Sequence, residues 1–246
     1  MAKLAADLSI LWTGLPWAER FEAAAMAGFS GVVVPFPYDN PAKDTQMALL
    51  RNGLTLVMIA TPPPNYTGGA RGFAAVPGAG DRFVHDLRRA LRYCEALRVP
   101  ALRVLAGDAS GSDAAGTLRD NLNKAVDRSP ASITLLVGPE PGADAFLQTG
   151  NQVAQLVSGA GTPVLRMEWP LDGISRGWQD DLRANASLIK HITLTAPPQD
   201  KSVADGFSAA ALEQVLDEIG YTGWVTASYR PRGAVEKTLG WMVRLS

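Results

Sequence analysis

Short apolar runs rich in β-branched residues alternate with longer amphipathic runs along the whole chain. The short runs have the length and composition of strands that are covered by helices on their outer face. Eight strands are predicted, at residues 4–12, 31–36, 54–60, 101–107, 132–138, 163–169, 190–196 and 223–229. A helix is predicted after each of them, at residues 16–28, 41–53, 80–99, 112–129, 143–161, 177–189, 207–220 and 234–245.

Eight strand–helix units in 246 residues favour a closed (β/α)8 TIM barrel over an open doubly wound sheet. The first strand is followed by "LWTGLPW", which is not the G-x-G-x-x-G fingerprint of a dinucleotide-binding fold. No linker interrupts the pattern, so one domain over residues 1–246 is predicted. The longest loop, residues 61–80, is rich in Pro and Gly, and its length is typical of a lid or binding loop.

Composition narrows the range of partners. The net charge is −1 and there is no dense run of Lys or Arg, which argues against nucleic acid and against acidic membrane surfaces. The N-terminal segment makes a weak signal peptide, and no apolar stretch approaches the roughly 18 residues of a membrane span. We therefore expect a cytoplasmic protein whose partner is a small molecule. The single cysteine, Cys94, excludes an intramolecular disulfide and is interpreted as a packing residue in a helix.

In a TIM barrel the functional side chains lie at the carboxyl ends of the strands. The ionisable candidates near predicted strand ends or in the loops that follow them are Asp7, Arg71, Arg103, Asp108, Glu140, Arg166, Glu168, His191, Arg230 and Arg232. Hydroxyl candidates at comparable positions are Thr193, Thr195 and Ser228.

Most of these candidates also have a structural interpretation. Arg166 and Glu168 lie on one face of their strand, where they suit either an internal ion pair or a ligand site. His191 suits a buried hydrogen bond as well as a substrate contact. The stretch "YRPRG", with Arg230 and Arg232, is more specific, because two arginines on a proline-stiffened turn form a clamp for a carboxylate or phosphate. The alternative for this pair is an ion-pair role at the end of the last strand.

A site for Mg²⁺ or Mn²⁺ needs three or four oxygen ligands from different strand ends. The strand-end positions expected to converge are Gly138, Glu168, Thr193 and Ser228, and only one of these carries a carboxylate. The sequence on its own therefore predicts no strong divalent-metal site.

Several stretches of the sequence resemble the hydroxypyruvate isomerase branch of the xylose isomerase-like TIM barrels. They are "GFSGVVVPFPYD", "NGLTLVMIATPPP", "ARGFAAVPG", "ALRVLAG" and "LDEIGYTGWVTASYRPRGAVEKTLGW". The resemblance implies a TIM barrel that interconverts hydroxypyruvate and tartronate semialdehyde. It also implies a divalent metal held by Glu, Asp, Gln and Glu, with two glutamates serving as acid and base on the carbon-bound proton.

The family's functional positions are largely replaced in this sequence. Its four metal ligands fall on Gly138, Glu168, Thr193 and Ser228. A strand histidine falls on Arg103, Arg166 stands where the family tends to have glutamine, and the histidine that follows the sixth strand falls on Leu171. Glutamates of the second strand and of the long loop fall on Val33 and Ala70. Carboxylates are lost and guanidinium groups are gained, so the resemblance implies fixed positive charge in place of the metal.

Two hypotheses follow. The first is a metal-free relative that binds a small anionic or hydroxylated ligand, or that serves only as a scaffold. In it, Arg71, Arg103, Arg166, His191, Arg230 and Arg232 contact the ligand. The second is an isomerase that uses Glu140 and Glu168 as its acid–base pair. A conventional hydroxypyruvate isomerase with an unusual metal site, or an interaction protein, is a further alternative. For Glu140 itself we expect a side chain turned out to solvent, and no cofactor is expected.

Overall fold

The computed structural model describes residues 1–63, 71–198 and 207–245. Within these ranges eight parallel strands close into a barrel in their sequence order, as predicted. The strands are β1 (Lys3–Asp7), β2 (Gly31–Val33), β3 (Thr55–Ala60), β4 (Ala101–Arg103), β5 (Thr134–Val137), β6 (Leu165–Leu171), β7 (Ile189–Leu194) and β8 (Trp224–Ala227).

A helix follows each strand of the barrel. The helices are α1 (Trp17–Met26), α2 (Ala42–Asn52), α3 (Gly80–Leu97), α4 (Asp113–Arg128), α5 (Gly150–Ala160), α6 (Trp178–Asn185), α7 (Ala209–Glu218) and α8 (Met242–Leu245). Short 3₁₀ turns at Pro37–Asp39 and Val235–Thr238 precede α2 and α8. No helix in the described part of the chain is both long enough and apolar enough to cross a bilayer.

The helices form where local sequence and burial agree. In α3 the buried side chains recur every three or four residues, which places them along one face of the helix. Thr149 and Gln152 form a capping box at the start of α5, where each side chain satisfies a backbone N–H of the other residue. Gly161 ends that helix with φ +60, a conformation that glycine adopts without strain.

Several predicted elements have other bounds in the structure, and the differences are clearest at β1, α5 and α8. The first strand stops at Asp7, because Asp7 accepts hydrogen bonds from the backbone N–H groups of Ser9 and Leu11 and the chain turns there. Helix α5 begins at Gly150 and not at residue 143, since the preceding segment is bonded to the loop after β4 through the hydrogen bond from Phe146 N to Gly107 O. The last predicted helix is divided into a 3₁₀ turn and the short α8.

The residues cluster into two compact units. The first unit contains residues 1–34, 44–57 and 169–246, and the second contains residues 35–43 and 58–168. In the first unit, β8 pairs with both β1 and β7, and His191 is aligned with Trp224. In the second unit, β4 pairs with β5 so that Arg103 is aligned with Leu136. The sequence prediction of a single domain over residues 1–246 stays a prediction.

Candidate functional site

An ion pair joins two strand residues of the second unit. Arg103 is the last residue of β4, and its Nε lies 2.7 Å from Oε2 of Glu168 on β6. The side chain of Glu168 is 2% exposed and that of Arg103 is 23% exposed. The guanidinium also donates from Nη2 to the carbonyl of Pro139 at 3.1 Å. Glu168 therefore has a cation beside its buried carboxylate, and Arg166, two residues earlier on β6, is half-buried.

Gly138, the first residue after β5, lies against Glu168. A Cβ atom added to Gly138 would be 2.8 Å from the carbonyl oxygen of Glu168 and 3.2 Å from its Cβ atom. The first distance is shorter than Cβ atoms show in folded proteins, so the position accepts only glycine without a shift of the backbone. Position 138, where the family resemblance implies a glutamate, therefore has no room for a side chain in this structure.

Glu140 is buried, and the expectation that it turns out to solvent is wrong. Its residue exposure is 5%, and its Oε1 and Oε2 accept the backbone N–H groups of Ala106 and Gly107 at 2.6 and 3.2 Å. The loop after β5 folds back through a bond from Glu140 N to Leu147 O, which turns the side chain towards the loop after β4. Backbone amides that would otherwise be unsatisfied provide the partners that a buried carboxylate needs.

Burial raises the pKa of Glu140 above the usual carboxyl value. The positive charges of Arg103 and Arg71 and the two backbone N–H groups act in the opposite direction and offset part of that effect. Arg71 is itself exposed, and its Nη2 lies 3.8 Å from the point where a Cβ on Gly142 would be. Glu140 is thus a buried carboxyl group within the field of two guanidinium groups.

In the first unit, Ser228 contacts Asp7. The Ser228 hydroxyl, just after β8, donates to Oδ2 of Asp7 at 2.8 Å. Oδ1 of Asp7 accepts the backbone N–H and the hydroxyl of Ser9 at 2.9 and 2.6 Å. Asp7 is 5% exposed, so these hydrogen bonds satisfy a buried carboxylate.

His191 forms a buried hydrogen bond between neighbouring strands. Its Nε2 lies 2.8 Å from Oγ1 of Thr226 on β8, and both residues are at most 2% exposed. This contact corresponds to the structural interpretation of His191, while its role in ligand binding stays a prediction. Thr193, two residues further along β7, is 8% exposed, and Thr195 donates its hydroxyl to the carbonyl of Leu171.

The "YRPRG" turn places its tyrosine inside and its arginines outside. Tyr229 is buried, accepts a hydrogen bond from Trp241 Nε1 at 2.9 Å and donates to the carbonyl of Thr238 at 3.1 Å. Arg230 and Arg232 are exposed. The turn is therefore fixed by Tyr229, which sequence reasoning missed, and the arginines are free to reach solvent-borne anions.

The sequence offered no direct indication of the backbone N–H donors of Ala106 and Gly107, since every residue except proline has such a group. The only signal is Gly107 itself, whose φ of +86 favours glycine. Asp108, the next residue, forms an isolated antiparallel bridge with Ala145. Of the predicted loop positions, Ala70 lies outside the described residues, as do residues 64–70 of the expected lid.

No group of three or more His, Cys, Asp or Glu side chains arranged to hold a metal ion occurs among residues 1–63, 71–198 and 207–245. The carboxylates that sequence reasoning singled out are instead bonded to a guanidinium group, to backbone amides or to hydroxyls.

Comparison with known proteins identifies the family. The profile of the xylose isomerase-like TIM barrels matches residues 21–245. A 2-oxo-tetronate isomerase of Pectobacterium atrosepticum is 31% identical over 98% of this chain and 97% of that protein. The hydroxypyruvate isomerase of Escherichia coli is 28% identical over 98% of both chains.

A solved structure supports the same assignment. The crystal structure of an AP endonuclease, family 2, from Brucella melitensis superimposes with a TM-score of 0.91 at 30% identity and covers 99% of this chain and 98% of that one. The predicted fold and the family resemblance are both confirmed. The chain belongs to the xylose isomerase-like TIM-barrel family, among relatives that include hydroxypyruvate and 2-oxo-tetronate isomerases.

Proposed function

We propose that this protein binds a small hydroxylated carboxylate of the sugar-acid class without a divalent metal, and that it has little or no isomerase activity. The ligand class comes from the names of its relatives, which are isomerases of hydroxypyruvate and of 2-oxo-tetronate. Both compounds are small 2-oxo acids that carry hydroxyl groups. The binding mode is inferred from the residues that surround the strand ends in each unit.

The residues at the family's ligand positions do not fit a divalent ion. Gly138 supplies no ligand and has no room for one, and the Oε2 atom of Glu168 already lies 2.7 Å from a guanidinium nitrogen. The hydroxyl of Ser228 is directed at Asp7. A hard divalent cation prefers several carboxylate or carbonyl oxygens, and a neighbouring guanidinium would repel it.

The observation that carries the proposal is the Arg103–Glu168 ion pair. Its guanidinium supplies a fixed positive charge, and the side chain is 23% exposed. Arg103 donates from Nη2 to Pro139 and approaches Glu168 with Nε, while Nη1 has no hydrogen-bond partner among the described residues. That nitrogen is suited to one oxygen of a ligand carboxylate. A guanidinium is a poor Lewis acid, so it binds an anion without polarising a carbonyl as a metal does.

A second candidate function is a metal-independent isomerase in which Glu140 and Glu168 move the proton. The observation that favours it is the raised pKa of Glu140, because a raised pKa leaves a larger fraction of the carboxyl group protonated and able to donate a proton as a general acid. Against it, both oxygens of Glu140 accept backbone N–H groups. An assay of hydroxypyruvate isomerisation decides between the two functions. Equal, near-background rates in the wild type, Glu140→Gln and Glu168→Gln are expected, and a wild-type rate that both substitutions abolish would establish the enzyme.

Binding is tested by thermal shift in the presence of a chelator. Hydroxypyruvate and related hydroxy acids should raise the melting temperature, whereas dihydroxyacetone, which is similar in size but uncharged, should not. The variants Arg71→Ala, Arg103→Gln and Arg232→Ala show which guanidinium group carries the effect. A shift that is unchanged in Arg103→Gln would remove Arg103 from the ligand site, and the absence of any shift in the wild type would oppose the proposal.

A further inference from the structure

In the loop after β4, residues 105–107 form backbone hydrogen bonds to neighbouring loops on both sides. The carbonyl oxygens of Leu105 and Ala106 accept the N–H groups of Ala74 and Ala75, which belong to the arm that leads into α3. The carbonyl of Gly107 accepts the N–H of Phe146 from the loop after β5 at 3.0 Å. Two neighbouring loops are therefore attached to the same three peptide groups.

The N–H groups of the same three residues are satisfied by side chains. The N–H of Leu105 donates to Oγ1 of Thr61 at 3.1 Å, and those of Ala106 and Gly107 donate to the two carboxylate oxygens of Glu140. Successive N–H groups that converge on one anion form an anion-binding concavity, and here the anion belongs to the chain itself. Glu140, in the loop after β5, therefore links that loop to the loop after β4.

Glycines allow the loops to approach this closely. A Cβ on Gly72 would collide with the carbonyl oxygen of Leu105, and a Cβ on Gly107 would collide with the carbonyl oxygen of Gly72. An arginine lies close to this hydrogen-bonded segment in each of the two loops: Arg71 comes just before Gly72, and Arg103 comes two residues before Leu105. The conformation of residues 105–107 therefore sets the backbone positions from which both arginine side chains extend.

We infer that Glu140 is a positioning residue: its carboxylate is an internal anion that holds the loops after β3, β4 and β5 together and thereby orients Arg71 and Arg103. The charged groups around it are Arg103 from β4, Arg71 from the loop after β3 and Glu168 from β6, which Arg103 neutralises. The effect on ligand binding rests on the proposed function, whereas the effect on the loops does not.

Hydrogen exchange of the ligand-free protein tests the inference. In Glu140→Ala the amides of Ala106 and Gly107 lose their acceptor, so we expect their exchange to accelerate by roughly tenfold or more. Acetate should enter the vacated space and restore slow exchange in a saturable manner, whereas neutral acetamide should not. Glu95→Gln, at an exposed position of α3, is the matched control and should exchange like the wild type.

Glu140→Gln keeps the shape of the side chain but presents one acceptor and one NH₂ group to two N–H donors, so it should show the same acceleration without a cavity. Exchange that is unchanged at Ala106 and Gly107 in both variants, or rescue by acetamide as effective as rescue by acetate, would overturn the inference.

Hydroxypyruvate should bind roughly tenfold more weakly to Glu140→Gln than to the wild type, a loss equivalent to one charge-assisted contact. If the affinity for hydroxypyruvate is unchanged while the exchange is faster, Glu140 does not orient Arg71 and Arg103 for ligand binding. Failure of the wild type to bind any carboxylate would defeat the proposed function alone, and the exchange result would still decide the role of Glu140.

Discussion

Arg103 on β4 and Glu168 on β6 meet across the end of β5, where Gly138 leaves room for them. Their Nε and Oε2 atoms are 2.7 Å apart, and the carboxylate is almost fully buried. The family resemblance implies an oxygen ligand for the metal at positions 138 and 168. In this protein Gly138 has no side chain, and the carboxylate of Glu168 is neutralised by the guanidinium of Arg103.

The energetic consequence of this pairing is tested by Arg103→Gln. Removing the guanidinium takes a positive charge away from the buried Glu168 carboxylate, so we expect a loss of about 3 kcal/mol in the free energy of unfolding. Urea denaturation at neutral pH measures it. The double variant Arg103→Gln/Glu168→Gln should recover a large part of the loss. The exposed pair Arg183–Glu218 is the control, because solvent screens this pair and Arg183→Gln should cost much less than Arg103→Gln. Equal losses at the two arginines would contradict the buried pairing.

Gly138→Ala should destabilise the protein because the new Cβ would press against the carbonyl of Glu168. Overpacking of this kind costs about 1–3 kcal/mol. Gly116→Ala is the matched control: it lies within α4 with nothing within 4 Å of the added Cβ, and should stabilise by about 0.5–1 kcal/mol. Chemical denaturation of both variants is the measurement, and a neutral Gly138→Ala would show that the position has room for a side chain.

The stability contribution of Glu140 should depend on pH in a defined direction. Burial raises the pKa of Glu140, so the folded protein binds this proton more tightly than the unfolded chain. Its contribution is therefore fully present below the ordinary carboxyl pKa of about 4.3 and is lost as the pH rises through the raised pKa. The difference in unfolding free energy between wild type and Glu140→Gln should shrink over that rise.

The control for this pH series is Glu218→Gln. Hydrogen bonds from Arg183 and Gln214 lower the pKa of Glu218, so its contribution is present above the ordinary pKa and is lost as the pH falls. When the difference in unfolding free energy between wild type and variant is plotted against pH in the acidic range, Glu140→Gln and Glu218→Gln should therefore give slopes of opposite sign. A slope of zero for Glu140→Gln would mean that burial does not raise the pKa of Glu140, and a slope parallel to that of Glu218→Gln would mean that hydrogen bonding and the arginine charges lower it.

The hydrogen bond between His191 and Thr226 should be structural. Thr226→Val keeps the shape of the side chain but leaves a buried imidazole nitrogen without its partner, at a cost of about 1–3 kcal/mol. The affinity for any carboxylate ligand should stay within twofold of the wild type, which calorimetry would show. A large loss of affinity with unchanged stability would instead support the predicted ligand-binding role of His191.

The fold was predictable because it depends on a repeated pattern: eight apolar strands, each followed by an amphipathic helix, leave few alternatives to a closed barrel. The site was predictable only in its composition. That Glu168 carries the one carboxylate at the expected ligand positions could be read from the sequence, but its pairing with Arg103 depends on the stagger between β4, β5 and β6. Glu140 was misplaced because Pro139 and Pro141 obscure the direction of the loop, and because its partners are backbone amides.

The central question about this protein is whether it binds a ligand without a metal. Isothermal titration of hydroxypyruvate into chelator-treated protein, repeated after addition of millimolar Mn²⁺, addresses this in one experiment. We predict the same dissociation constant with and without Mn²⁺, no heat from Mn²⁺ alone, and loss of binding in Arg103→Gln. Saturable Mn²⁺ binding, or ligand binding that appears only when Mn²⁺ is present, would contradict metal-free ligand binding.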